Sequence, residues 1–175
     1  MRRALLLVDV QKNMLEGASP VPEANQVRAM LQSLLLDARA RGTAVAHVQN
    51  NGGPDDPDEP GTLGWELAFA PLEGELIIEK TQGDAFQEPE LAAWLTSQKV
   101  DDVIIAGMQS EFCIRQTALG ALANGFGALL VRGGHATYGD SSQSASEIAR
   151  EVEQELSRAG VRIRTARDVW GTTNR

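Results

Sequence analysis

Short continuous apolar runs alternate along this chain with longer stretches in which apolar residues recur every three or four positions. Ala4-Leu-Leu-Leu-Val-Asp-Val10 is an apolar, partly branched run of the kind found in strands buried on both faces. After Pro22, residues Val27, Met30, Leu31, Leu34 and Leu35 keep helical spacing until Gly42 stops them. Further strands are predicted over residues 43–49, 75–79, 102–106, 128–131 and 161–164. Helices are predicted over 88–97, from about 111 to 124, and over 142–159, where Ile148, Val152 and Leu156 share one face. Residues 50–64, rich in Gly, Pro and Asp, read as a long loop, either functional or a plain solvated connection.

Strands alternating with helices imply a mostly parallel sheet covered on both faces, because parallel neighbours need crossover connections. The fold expected is α/β, a three-layer Rossmann-like arrangement with six strands. At 175 residues and 42% hydrophobic content, the chain fits one domain over residues 1–175. The net charge of -8 leaves no basic footprint for nucleic acid and disfavours acidic membrane surfaces. Asp9 ends the first apolar run before a signal-peptide core forms, and no stretch approaches the roughly 18 apolar residues of a membrane span. A single cysteine makes no internal disulfide, which agrees with a reducing, cytoplasmic setting.

In such sheets, ligands sit outside the carboxyl ends of the strands, where the strand order reverses. Asp9 follows the first predicted strand, Lys80 the third, and Cys113 lies just beyond the fourth, where a helix opens. With the order 3-2-1-4-5-6, Asp9 and Cys113 face each other across the crevice, and Lys80 reaches in from two strands away. A helix N-terminus and a nearby ammonium both lower a thiol's pKa, so Cys113 beside Lys80 is expected to be activated, although a neighbouring carboxylate opposes this. Asp9 would take the thiol proton and return it to a departing amine, with Lys80 keeping Asp9 ionised.

Each residue has a plainer reading. A lone cysteine in an apolar helix is commonly a small buried hydrophobe, Asp9 could cap a turn, and Lys80 could be an ordinary exposed lysine. His47, within a strand, and His135, in a Gly-rich loop, lack metal-ligand spacing, so no metal is expected. Asp55, Asp56, Asp58 and Glu59 are interleaved with prolines, match no calcium loop, and read as a solvated segment. Gly133-Gly134 is no dinucleotide fingerprint, and no cofactor is expected. Trp65, Phe86, Phe112 and Tyr138 could line an apolar pocket or simply fill core, and position near the strand ends tips Trp65 and Phe112 towards the pocket.

Four ordered segments resemble the isochorismatase-like cysteine hydrolases, over Ala4 to about Thr137. They are Leu6-Leu-Val-Asp-Val-Gln11, Pro60-Gly-Thr-Leu-Gly-Trp-Glu-Leu67, Glu79-Lys-Thr-Gln-Gly-Asp-Ala-Phe86 and Ala106-Gly-Met-Gln-Ser-Glu-Phe-Cys-Ile114. The resemblance implies the catalytic triad Asp9, Lys80 and Cys113, the strand order assumed above, and a non-proline cis peptide joining Met108 to Gln109. That bond would aim the N–H groups of Gln109 and Cys113 at one point as an oxyanion hole. Gln11, Asn50, Trp65 and Phe112 are the candidate substrate-binding residues, with the 50–65 loop bounding the pocket.

Departures from the family's pattern narrow the chemistry. Where nicotinamidases resembling this chain carry an Asp and two His metal ligands, this region reads His47-Val-Gln-Asn-Asn51. Isochorismatases proper lack the cysteine, so Cys113 points to amide or carbamoyl chemistry. Where many relatives have an acid after the fifth strand, this chain has Gly133, which leaves the geometry of the 134–138 loop open. The expectation is a metal-independent amidohydrolase acting on a small amide, carbamoyl or lactam-like substrate through a thioester. Relatives of this kind are commonly homo-oligomers, which is the expected state. Two other readings are a small-molecule binding or assembly protein without turnover, and a flavodoxin-like cofactor binder. Ligand binding indifferent to Cys113→Ala would mark the former, and a coloured or nucleotide-loaded protein the latter.

Overall fold

A computed structural model describes residues 1–171. They form an α/β domain whose six strands are all parallel and stand in the order β3-β2-β1-β4-β5-β6. In chain order the elements are β1 (Arg3–Val8), α1 (Lys12–Leu15), α2 (Ala24–Ala40), β2 (Ala44–Asn50), β3 (Leu76–Lys80), α3 (Pro89–Ser97), β4 (Asp102–Met108), α4 (Arg115–Ala123), β5 (Gly127–Ala136), α5 (Ala145–Arg158) and β6 (Arg162–Arg164). The chain winds outward from β1 to β3, then returns to the other side of β1 with β4. That reversal opens a crevice between β1 and β4.

The apolar run of β1 feeds two cores because successive side chains point to opposite faces. Ala4, Leu6 and Val8 pack with Leu91 and Leu95 of α3, Ala118 and Ala121 of α4, and Val152 and Leu156 of α5. Leu5 and Leu7 pack with Leu31, Leu34, Leu35 and Ala38 of α2. Ser144 caps the N-terminus of α5 with a capping box, its hydroxyl accepting from the Glu147 N–H while the Glu147 carboxylate accepts from the Ser144 N–H. Among the described residues, no helix is long and apolar enough to cross a membrane.

Two elements differ from the pattern-based reading. The predicted fifth strand of four residues runs through Ala136, because a register shift opposite Ile105 to Gly107 carries Arg132, Gly133 and Gly134 past the interruption and resumes pairing at His135. Gly133 takes φ of 72° there, in the region glycine occupies freely. His135 thus lies inside a strand and not in a loop. The segment after β4 opens as a wide π turn over Ser110–Ile114 before α4 begins.

Candidate active site

Parallel pairing sets Val8 beside both Val48 and Gly107, and Asn50 beside Lys80. The residues that follow β1 and β4, and those that end β2 and β3, therefore gather at one edge of the sheet. Gly107 allows β4 to lie against β1 here, since a Cβ at that position would overlap the Val8 carbonyl oxygen. Its φ of 130° also excludes most side chains. Asp9 leaves β1 in a left-handed conformation, φ 51°, which aspartate tolerates better than most residues, and its N–H donates to the Val48 carbonyl at 2.8 Å.

Lys80 reaches the crevice and is only 1% exposed. Its Nζ donates to Asp9 Oδ2 at 3.1 Å, to Asn50 Oδ1 at 3.1 Å and to Cys113 Sγ at 3.4 Å, one acceptor for each ammonium proton. The three acceptors fix the ammonium between a carboxylate and a thiol. Asp9 Oδ1 is buried with no hydrogen-bond partner among the described residues. Beyond β4 the Met108–Gln109 peptide is cis. The Gln109 carbonyl then accepts from Phe112 N–H at 3.2 Å and from Ile114 N–H at 3.1 Å. The second bond spans five residues, which makes this a π turn and carries Cys113 to the crevice floor.

Burial is the largest influence on Asp9 and pushes its carboxyl up, with Lys80 pulling it back down. Burial also dominates at Cys113, the Asp9 charge adds to it, and together they push the thiol up to about 12 against the opposing Lys80. The expected activation of the free thiol is therefore corrected. One ammonium does not outweigh desolvation plus a carboxylate, and the resting arrangement is a neutral thiol beside the Asp9–Lys80 ion pair.

A cavity of about 570 Å³ opens over Cys113 and Asp9. Of the other residues singled out in the sequence, Asn50 and Phe112 line it, Phe112 being 53% exposed. Gln11 and Trp65 stand behind the wall. The Gln11 side-chain NH2 donates to the carbonyls of Asn50 and Trp65, both at 3.0 Å, and its Oε1 accepts from the Asn50 N–H at 2.8 Å. Trp65 Nε1 donates to Asn51 Oδ1 at 2.7 Å. Both residues brace the 50–65 loop, their polar groups already engaged. The loop does bound the cavity, and Asp56 and Asp58, read above as part of a solvated acidic segment, lie on its wall. Met14 from the segment after β1 and Tyr138 from beyond β5 complete the opposite side. Tyr138 is one of the aromatic residues expected to line a pocket or fill core, whereas Met14 carries no motif that pattern reading could catch.

Both histidines sit outside this cavity's lining. His47 Nε2 meets Glu75 Oε2 at 2.9 Å, and Arg39 forks onto both Glu75 oxygens at 2.7 and 2.9 Å. Burial pushes the Glu75 carboxyl up, but the Arg39 fork, the Leu72 N–H and His47 outweigh it and hold the group at about 2. His135 Nδ1 meets Ser110 Oγ at 2.8 Å, tying β5 to the turn that carries Cys113. Among the described residues, no group of three or more His, Cys, Asp or Glu side chains is arranged to hold a metal ion.

Comparison with known proteins agrees with this geometry. The model of the isochorismatase domain matches residues 3–153. A streptothricin hydrolase of Streptomyces noursei is 41% identical over 157 residues, covering 89% of this chain and 56% of that protein. The chain thus spans little more than half of that relative's length. A maleamate amidohydrolase of Pseudomonas putida is 30% identical over 148 residues, covering 74% of this chain and 70% of that protein. In three dimensions, a crystal structure described as a putative isochorismatase from Burkholderia xenovorans superimposes with a TM-score of 0.87 at 27% identity, covering 97% of this chain and 85% of that one. With its parallel six-stranded sheet, its crevice at the strand-order reversal and a domain model matched over most of its length, the chain belongs to the isochorismatase family.

Proposed function

We propose that this protein is a cysteine amidohydrolase that cleaves a C–N bond of a small amide, carbamoyl or lactam-like molecule through a thioester on Cys113, without a metal ion. The observation that carries the proposal is the contact of one buried ammonium with both a carboxylate and the lone thiol at the floor of a cavity. The hydrolase and amidohydrolase names of the two curated relatives support the same bond type.

A thiol with its pKa pushed up to about 12 is poorly populated as thiolate at neutral pH, so attack is coupled to proton loss. As Sγ bonds to the substrate carbonyl carbon, the thiol proton passes to Asp9, whose unpartnered Oδ1 is open to receive it. The N–H groups of Gln109 and Cys113 are the donors proposed for the oxyanion. Collapse of the tetrahedral intermediate breaks the C–N bond, and Asp9 returns the proton to the leaving nitrogen. Water deprotonated by Asp9 then adds to the thioester, releasing the carboxylic or carbamic acid and the Cys113 thiol. Lys80 holds Asp9 in position and balances its charge, and Asn50 holds Lys80.

The test is ammonia or amine release from a panel of small amides, carbamoyl compounds and lactams. Hydrolysis that survives exhaustive chelation and disappears in Cys113→Ala is the expected result. Turnover that persists in Cys113→Ala, or that chelation removes, overturns the proposal.

A further inference from the structure

We infer, resting on the reading of the Cys113 cavity as the hydrolytic site, that its substrate is an amide or lactam bearing a positive charge away from the scissile bond. At the cavity floor the Asp9 carboxylate and the Lys80 ammonium offset each other, and Cys113 rests as a neutral thiol. Asp56 and Asp58 then add two carboxylates to the wall, and the lining contains no lysine, arginine or histidine. Neither carboxylate forms an ion pair among the described residues. The cavity therefore carries an unbalanced negative charge.

Both carboxylates are held in place before any ligand arrives. Asp58 Oδ2 accepts from Asn50 Nδ2 at 2.7 Å, and Asp56 Oδ2 accepts from the Gly53 N–H at 2.7 Å. Asn50 also holds Lys80, so three side-chain hydrogen bonds in series, Asp58 to Asn50, Asn50 to Lys80 and Lys80 to Cys113, join Asp58 to Cys113 Sγ. Asp58 and Cys113 line the same cavity, so one small molecule can meet both. A second observation lies at the floor, where Asp9 is 4% exposed, lines the cavity and leaves Oδ1 unpartnered. Phe112 and Tyr138 also line the cavity, and aromatic rings attract a cation in preference to an anion. A confined acidic cleft concentrates cations and repels anions, with effects on association on the order of 10- to 1000-fold.

The experiment uses three molecules of similar length: 5-aminopentanamide, a cation; pentanamide, neutral; and glutaramate, an anion. Their affinities are read as protection of Cys113 from alkylation by neutral iodoacetamide at pH 9, and their turnover as ammonia release. The proteins are the wild type, Asp56→Asn, Asp58→Asn and the double variant. Protection strongest for the cation and weakest for the anion, with the ratio collapsing in the double variant and in high salt, supports the inference. Equal or inverted protection, no protection by any of the three, or an order unchanged in the double variant overturns it. If the charge order holds while neither these nor a wider amide panel is hydrolysed, the hydrolase reading fails and the charge preference stands.

Discussion

Replacing Lys80 by methionine keeps the length of an apolar stem and removes the one cation that faces Asp9. Lys80 and Asp9 are 1% and 4% exposed, and Asp9 Oδ1 already lacks a partner. The substitution takes the remaining oxygen's partner as well. Removing one member of a buried ion pair costs about 3–5 kcal/mol where the other stays charged. Asp9 can escape part of that cost by taking up a proton, which gives the prediction its pH dependence. Burial raises Asp9 even in the wild type, and loss of Lys80 removes the largest opposing influence, so the folded variant holds the proton to a higher pH than the unfolded chain does. The folded state then binds more protons than the unfolded one, and stability falls as pH rises between the two values, by up to about 1.4 kcal/mol per pH unit. Urea unfolding of wild type and Lys80→Met at pH 5 and pH 8 measures the effect. The deficit of the variant is expected to approach about 3–5 kcal/mol at pH 8 and to be smaller at pH 5. A deficit below about 1 kcal/mol at pH 8, or one equal at both pH values, refutes the reasoning that Asp9 is a buried charge held by Lys80.

Two other perturbations probe the electrostatics. Because the Asp9 charge helps to push the Cys113 thiol up, Asp9→Asn is expected to speed iodoacetamide labelling of Cys113 at pH 8 while abolishing amide hydrolysis; slower labelling would contradict the assignment of the Asp9 effect. Glu75, held at about 2, contributes stability that is present above its unfolded value and lost as pH falls towards 2. Acid unfolding of Glu75→Gln should therefore show a shallower loss of stability between about pH 4.5 and pH 2 than the wild type, and identical slopes would mean that Arg39 and His47 do not hold the carboxylate.

The sheet was legible because β1 is an unbroken apolar run and α2 keeps its helical period, two signals that depend on local spacing alone. The positions of Asp9 and Lys80 at strand ends were legible for the same reason. What spacing does not carry is the depth of burial and the path of loops. The neighbours of Cys113 could be anticipated, yet its pKa turns on desolvation, which belongs to the assembled core. The 50–64 loop has the composition of a solvated turn, and only its folding back over β1 and β4 brings Asp56 and Asp58 to the cavity. Gln11 and Trp65 are polar or aromatic residues near strand ends, a pattern shared by pocket linings and loop braces; their hydrogen bonds make them braces. The His135 to Ser110 contact depends on a register shift in β5 that glycines conceal as a loop.

If Cys113 breaks a C–N bond as the nucleophile, an acyl group is carried on its sulfur during turnover. Acid quench of the wild type during turnover of an amide it hydrolyses, followed by peptide mass spectrometry, tests it most directly. A mass increment equal to the acyl group on the Cys113 peptide, labile to hydroxylamine and absent in Cys113→Ala, is predicted. Continued hydrolysis by Cys113→Ala would contradict it.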